Sequence, residues 1–300
     1  MDSLICPIAS LFEDGLTETA SAKVNLTLKV LGRRSDGFHE LCSIVAFASL
    51  GDTLQLKLDD KLSLTVSGAF SANLDEDNLV LKAARILSEL CAGLRTGAFT
   101  LEKNLPVAAG LGGGSADAAA ALRLMARANA DLVTGQVMEE AACRLGSDVL
   151  ACLMSHAAVM QGRGEKLTPL EQLPALDVVL VNPGIPLAAS DVYAALNAPY
   201  LDDQYALDDV SNHSFASVGE LLNHISKTGN DLRQPAITLA PEIGDVISAL
   251  SGAESCQMAQ MSGSGSTCFG IFANAGHAAR ARDRLRAAYP EWWVVSTTLA

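Results

Sequence analysis

Between residues 23 and 30 apolar and polar side chains alternate without a break: Val24, Leu26, Leu28 and Val30 against Lys23, Asn25, Thr27 and Lys29. A period of two predicts a half-buried β-strand whose polar face carries Lys23 and Asn25. Residues 53–58 and 62–67 repeat the alternation, so the first third of the chain reads as an antiparallel sheet. At Asn78 the period changes. Leu79, Ala83, Ile86, Leu87 and Leu90 fall on one stripe, which predicts an amphipathic helix to residue 90.

A short strand is expected at 99–102, then a glycine-rich stretch, an alanine-rich helix over about 115–129 and a second helix over 136–145. Apolar strands follow at 159–161 and 178–181, with Asn182-Pro183-Gly184 as a turn. Residues 198–217 are polar and patternless and read as a loop. Helices are expected at 218–225, 242–250 and 275–288, with strands near Met258, at 268–272 and at 292–297. The class is α+β. A boundary between about residues 167 and 176 separates a domain at 20–170 from one at 171–300, after a loosely held leader at 1–19. No internal repeat or low-complexity tract is visible.

Composition narrows the function. The 300 residues are 49% hydrophobic and 18% charged, a globular balance with room for two domains. No apolar run reaches the roughly 20 residues of a membrane helix. The first 20 residues carry four acidic side chains and no Lys or Arg, unlike a secretory signal or a basic transit peptide. Seven scattered cysteines without a Cys-x-x-Cys pair suit reduced thiols in a cytoplasm, not structural zinc. A net charge of −13 with 5% aromatics argues against a nucleic-acid surface. It also means that an anionic ligand needs a local cradle. No apolar face stands out as surplus to the core, which leaves a monomer or weak homodimer.

Such a cradle is legible at Pro106-Val107-Ala108-Ala109-Gly110-Leu111-Gly112-Gly113-Gly114-Ser115-Ala116, running straight into a helix. Glycines let backbone N–H groups converge, and a helix start adds unpaired donors and a positive dipole end. No Gly-Lys-Ser/Thr follows, so this is not a Walker A loop, and the preceding Leu-Pro-Val does not fit a dinucleotide fingerprint. The bland alternative is a glycine turn with Ser115 as helix cap. Asp148, in Gly146-Ser147-Asp148-Val149, is either a cap or a carboxylate on a short turn, able to take a hydroxyl proton. Gly263, Ser264 and Gly265 lie in a second glycine and hydroxyl loop that could equally be a plain hairpin connection. Residues 32–41, Gly-Arg-Arg-Ser-Asp-Gly-Phe-His-Glu-Leu, place Phe38 and His39 on a polar turn suited to ligand recognition, although His39 could also be structural.

Residues 22–26, the glycine run with Ser115, and residues 261–267 together resemble the three motifs of the kinases of galactose, homoserine, mevalonate and phosphomevalonate. Residues 32–41, 146–149, 162–167 and 230–232 extend the resemblance, in the same order, to the branch acting on a cytidine-diphosphate methylerythritol of non-mevalonate isoprenoid synthesis. The resemblance spans about residues 20–272. It implies an N-terminal ATP-binding domain like ribosomal protein S5, a mixed sheet with helices, and a ferredoxin-like C-terminal α/β sandwich on the substrate side. It implies ATP with Mg2+ as cosubstrate, and leaves open which protein group, if any, binds the ion. It makes Asp148 the base at a tertiary hydroxyl, Lys23 its ammonium partner, and Asn25 a positioning residue. Pro106 to Ala116 would wrap the phosphates, His39 would hydrogen-bond the cytosine, and Phe38 and Tyr193 would cover its two faces. A mevalonate-type kinase or decarboxylase, or a regulatory nucleotide-binding homologue, are the alternatives. Ala108, Ala109, Leu150 and Ser266 depart from the usual glycine or proline of that branch, and Phe38 stands for a commoner tyrosine.

Overall fold

A computed structural model describes residues 15–72, 78–201 and 214–300. The residues before 15 and residues 202–213, which hold most of the expected leader and loop, lie outside them. In chain order the elements are β1 (Leu16–Asn25), β2 (Lys29–Arg33), β3 (His39–Leu58), β4 (Ser63–Ser67), α1 (Leu79–Leu90), β5 (Gly97–Glu102) and α2 (Gly113–Ala128). Next come α3 (Gly135–Leu145), α4 (Ser147–Met154), β6 (Ala158–Gly162), β7 (Lys166–Pro169), β8 (Leu176–Asn182) and α5 (Ala189–Leu196). The chain closes with α6 (Val218–Thr228), α7 (Arg233–Leu239), α8 (Glu242–Ser251), β9 (Cys256–Met261), β10 (Cys268–Phe272), α9 (Ala275–Ala288) and β11 (Trp293–Leu299).

The alternating segment 23–30 is therefore two strands with a break between Asn25 and Lys29, and β1 reaches back to Leu16, into the stretch read as leader. At the end of β1 the polar residues are buried, not wet: Lys23 is 4% and Asn25 2% exposed. The chain divides by contacts into two units that interleave along the sequence, one of residues up to 20, 51–105 and 114–153, the other of 21–50, 106–113 and 154–300. The expected cut near residue 170 divides the sequence; these units divide the contacts.

In the first unit the C-terminal half of β3 pairs antiparallel with β5, Thr53 opposite Glu102 and Leu58 opposite Gly97. β4 then lies parallel to β5, so the first third is the mixed sheet that the resemblance implies and not the antiparallel one that alternation alone predicts. A helix between β4 and β5 is the reason, since parallel neighbours need a crossover connection. That helix is α1, capped by Asn78, whose side chain accepts the Val80 N–H. Val80, Ala83, Ala84 and Leu87 bury its stripe, each large side chain contributing about 1.5–3 kcal/mol. In α2 the residues from Ala116 to Leu122 are all buried. Alanines make that possible by letting neighbours approach a helix from every side.

In the second unit the strand order β11–β8–β10–β9 is antiparallel throughout. With helices between β8 and β9 and between β10 and β11, this is the β-α-β-β-α-β arrangement expected for a ferredoxin-like domain. Helices α8 and α9 pack against these strands over a core of Val179, Val181, Ile243, Val246, Leu250, Cys268, Phe272, Leu285 and Val294. β11 also meets β3, Leu299 opposite Ala48. The N-terminal half of β3 forms a hairpin with β2 and pairs with β6. The fold is α+β, as expected. The six described cysteines are free thiols, and no helix among the described residues is long and apolar enough to cross a membrane.

Candidate active site

Along the glycine run, positive φ recurs at every second residue: Ala108 (52°), Gly110 (73°) and Gly112 (64°). Alternation of left-handed and ordinary backbone turns successive N–H groups toward one concave side, the geometry of an anion nest. The chain runs from this nest into α2, whose first turn, Gly113, Gly114, Ser115 and Ala116, presents the unpaired donors of a helix start. Ala108 holds a conformation that L-residues adopt at a cost of about 1–2 kcal/mol. Ala109 beside it does not, and is buried.

What shapes the nest is the second glycine loop, between β9 and β10. Thr267 N–H donates to the Ala109 carbonyl at 3.1 Å, and the Ser262 hydroxyl to the Gly110 carbonyl at 2.9 Å. A Cβ on Gly110 would lie 2.4 Å from the Ser262 carbonyl oxygen, so only glycine fits. Lys23 N–H donates to the Leu111 carbonyl at 2.9 Å from the other side. The second loop is itself held by amides. Asn230 Nδ2 donates to the Met261 and Gly263 carbonyls at 2.9 and 2.8 Å, and Asn182 Nδ2 reaches the Ser266 and Thr267 hydroxyls. Asn25 completes the network: its N–H donates to Ser262 Oγ and its Nδ2 to Ser43 Oγ at 2.7 Å. Gly263 and Gly265 carry positive φ, and the Gly265–Ser266 peptide is cis. The structure thus brings Asn25, residues 109–111 and residues 262–267 together.

A separate cavity of about 460 Å3 opens at the β2–β3 turn, with Arg33, Phe38, His39, Arg163, Tyr193 and Asn197 among its walls. The turn is rigid. Phe38 N–H donates to Asp36, Arg34 N–H to the Phe38 carbonyl, and the Arg34 guanidinium binds both Asp36 and the buried Glu40. These bonds leave Phe38 51% exposed, with the Arg163 guanidinium 4.8 Å from its ring centroid. Tyr193, projecting from α5, stacks on His39 with centroids 4.8 Å apart and planes 24° from parallel. Burial, and then the Arg33 cation opposite it in the β2–β3 register, lower the His39 pKa below its ordinary value. A neutral imidazole can both donate and accept, as reading the edge of a heterocycle requires. Phe38, His39 and Tyr193 meet here, but Tyr193 packs first on the His39 ring.

Lys23 sits in the buried end of β1. Asp148 is not on a turn. It occupies the first turn of α4, half-buried, just after Gly146 (φ 153°) ends α3. A carboxylate there is stabilised by the helix dipole. Leu150 continues the same helix. Among the described residues no cluster of three or more His, Cys, Asp or Glu side chains could hold a metal ion.

Residues 78–156 match the GHMP kinases N terminal domain, and residues 206–291 the GHMP kinases C terminal domain. The 4-diphosphocytidyl-2-C-methyl-D-erythritol kinase of Parvibaculum lavamentivorans is 49% identical over 282 residues, 93% of this chain and 96% of that one. The chain belongs to this kinase family. A crystal structure of a 4-(cytidine 5'-diphospho)-2C-methyl-D-erythritol kinase is 32% identical with a TM-score of 0.73, over 95% of this chain and 99% of that one. Homoserine kinase from Cytophaga hutchinsonii, 19% identical with a TM-score of 0.68 over 99% of this chain and 96% of that one, shares the fold.

The sequence reading of the kinase missed three groups of residues. The sequence marks Asn182 only as part of a turn and gives Asn230 no role; Asn182 closes an apolar run, which is a visible signal, whereas Asn230 stands among polar residues and carries none. The sequence places Arg33 on a turn suited to ligand recognition, without a role of its own, and gives Arg163 none, yet both line the cavity. The third group is the buried ion cluster of Lys103, Asp52 and Asp117. Lys103 and Asp117 flank the glycine run in sequence; an apolar surround hints at burial for Asp117, but Lys103 stands between Glu102 and Asn104 and gives no such hint.

Proposed function

We propose that the kinase transfers the terminal phosphoryl group of ATP to the tertiary hydroxyl of 4-diphosphocytidyl-2-C-methyl-D-erythritol. The observation that carries this reading is the cavity at the β2–β3 turn. Flat rings (Phe38, Tyr193), a neutral His39 and the cations Arg33 and Arg163 suit a pyrimidine attached to a diphosphate. Two arginines also supply, in a chain of net charge −13, the local positive field that an anionic substrate requires.

The alternating nest at residues 108–112 and the first turn of α2 fit an ATP polyphosphate, since the Gly110 position excludes any side chain and keeps the backbone donors bare. Mg2+ arriving with the nucleotide supplies charge neutralisation on the phosphates. Asp148 takes the proton of the tertiary hydroxyl, and Lys23 offsets negative charge during transfer. Asn25, fixed by Ser262 and Ser43, positions the alcohol. Catalysis on this reading is mostly placement and electrostatics, as in other phosphoryl transfers.

A coupled assay of ADP production tests it with the cytidyl substrate against mevalonate. Turnover of the cytidyl substrate and not of mevalonate is the expected result; the reverse, or no ADP with either, overturns the proposal. Asp148→Asn is expected to keep ATP binding while ADP production falls by at least about 10²-fold, the usual scale of a lost general base.

A further inference from the structure

Lys103, just past β5, is 3% exposed, and its ammonium lies between two carboxylates. It donates to Asp117 Oδ2 at 2.7 Å and to Asp52 Oδ2. Asp52, fully buried, spends its other oxygen on the backbone, accepting the N–H groups of Asn104 at 2.6 Å and Leu105 at 2.8 Å. Asp117 has nothing comparable. Its Oδ1 is buried and has no hydrogen-bond partner.

The positions of these groups in the chain matter more than their charges. Residues 103–105 lead directly into Pro106, where the glycine run begins. Asp117 stands on α2, which starts at Gly113 as the run ends. One ammonium therefore ties the strand that enters the run to the helix that leaves it, and Asp52 clamps the two backbone amides next to the entrance. A flexible segment binds anions better when its ends are fixed beforehand, because less order has to be imposed on binding. A purely structural role could be filled by apolar packing, which is commonly as stabilising as buried ions.

We propose that Lys103, Asp52 and Asp117 are positioning residues that fix both ends of the glycine run for nucleotide polyphosphate. This rests on the kinase reading above, with ATP on that run. The charged groups facing Asp117 are Lys103 and Asp52. Burial above all, and then Asp52, push the Asp117 pKa up to about 7, although Lys103 opposes the shift. Burial alone would lower Lys103, but the Asp117 and Asp52 carboxylates outweigh it and raise its pKa. Lys103 thus stays charged across the neutral range while Asp117 gains its proton as the pH falls through about 7. A protonated Asp117 grips the ammonium less firmly, and the loop ends loosen.

The test compares the wild type with Asp117→Asn, which keeps the shape and removes the charge. Four quantities are measured between pH 6 and 8: KM for ATP, KM for the alcohol, kcat, and equilibrium binding of β,γ-imido-ATP. The wild-type KM for ATP is expected to rise as pH falls. In Asp117→Asn it should be raised about tenfold at pH 8, the scale of one charge-assisted hydrogen bond, and no longer vary with pH. The KM for the alcohol should hardly change. Lys103→Arg, which preserves the charge, should recover most of the ATP affinity that Lys103→Met loses. An Asp117→Asn enzyme with wild-type ATP affinity and pH profile overturns the proposal. So does a variant that only melts earlier, with both KM values unchanged, because that assigns the cluster to stability alone. A wild type that neither binds β,γ-imido-ATP nor makes ADP would instead remove the kinase reading itself.

Discussion

Replacing Gly110 by alanine isolates the contact on which the nest depends. The added Cβ would sit 2.4 Å from the Ser262 carbonyl oxygen, 2.9 Å from that of Gly265 and 3.0 Å from the Gly265 nitrogen. All three are backbone atoms, so no side chain can swing away. The φ of +73° adds about 1–2 kcal/mol for an L-residue, and overpacking against fixed backbone adds roughly 1–3 kcal/mol. Together these come to about 2–5 kcal/mol, a large part of the 5–15 kcal/mol that typically holds a domain together. Gly184→Ala is the control: its φ is +80°, but the nearest atom, the Glu291 carbonyl oxygen, is 4.0 Å away. It should lose only the backbone share, lessened by about 0.4–1 kcal/mol through the stiffer unfolded chain. Urea unfolding of both variants, with the KM for ATP measured alongside, reads the difference. Gly110→Ala should unfold earlier than Gly184→Ala and bind ATP more weakly. If the two variants matched in stability and both kept wild-type ATP affinity, the idea that the second loop moulds the first would be wrong.

Two further outcomes follow from the same geometry. Ala108 and Ala109, adjacent and chemically identical, should respond oppositely to glycine. Ala108→Gly relieves a left-handed alanine and should be neutral or stabilising by up to about 1 kcal/mol. Ala109→Gly deletes a buried methyl and should destabilise by about 1 kcal/mol; denaturation midpoints moving the same way for both would contradict this. For His39, the folded pKa lies below the ordinary 6.5. The unfolded chain therefore binds the proton first as the pH drops, so the stabilisation present above pH 6.5 is lost as pH falls through the folded value. The KM for the cytidyl substrate should rise over the same interval in the wild type and not in His39→Gln. NMR titration of the imidazole, giving a pKa at or above 6.5, would refute the premise.

Helices with caps were legible because their signals are local. Asn78 and Asn274 accept N–H groups of the first turns of α1 and α9, and the stripe of α1 buries the residues its periodicity names. Shorter helices gave no such signal. At eight residues α4 and α5 are too short for a 3.6 period to show, which is why Asp148 reads as a turn residue from sequence. α7 carries Pro235 near its start, a residue that sequence rules treat as a breaker although its missing N–H costs nothing in a first turn. The parallel pairing of β4 was hidden for another reason. Alternation specifies a face and is silent on strand direction, which the intervening helix decides.

The face assigned to Lys23 and Asn25 shows where pattern reading stops in physical terms. Alternation established correctly that the two sides of β1 differ, but the inference that the polar side is wet assumed that nothing covers it. What covers it comes from segments more than 80 residues away: Leu111, whose carbonyl takes the Lys23 N–H, and Ser262, whose hydroxyl takes the Asn25 N–H. A buried amide or ammonium survives only where partners meet it. The Asn25 amide finds Ser43 on β3, while the backbone N–H groups of Lys23 and Asn25 reach two glycine-bearing loops, each read separately as a flexible turn or a phosphate cradle. Their glycines are needed less for flexibility than for contact: Gly110 and Gly263 lie where a Cβ would strike the other loop. Two glycine loops and a polar strand face were thus three readings of one packed object. In this chain the three segments are buried against one another.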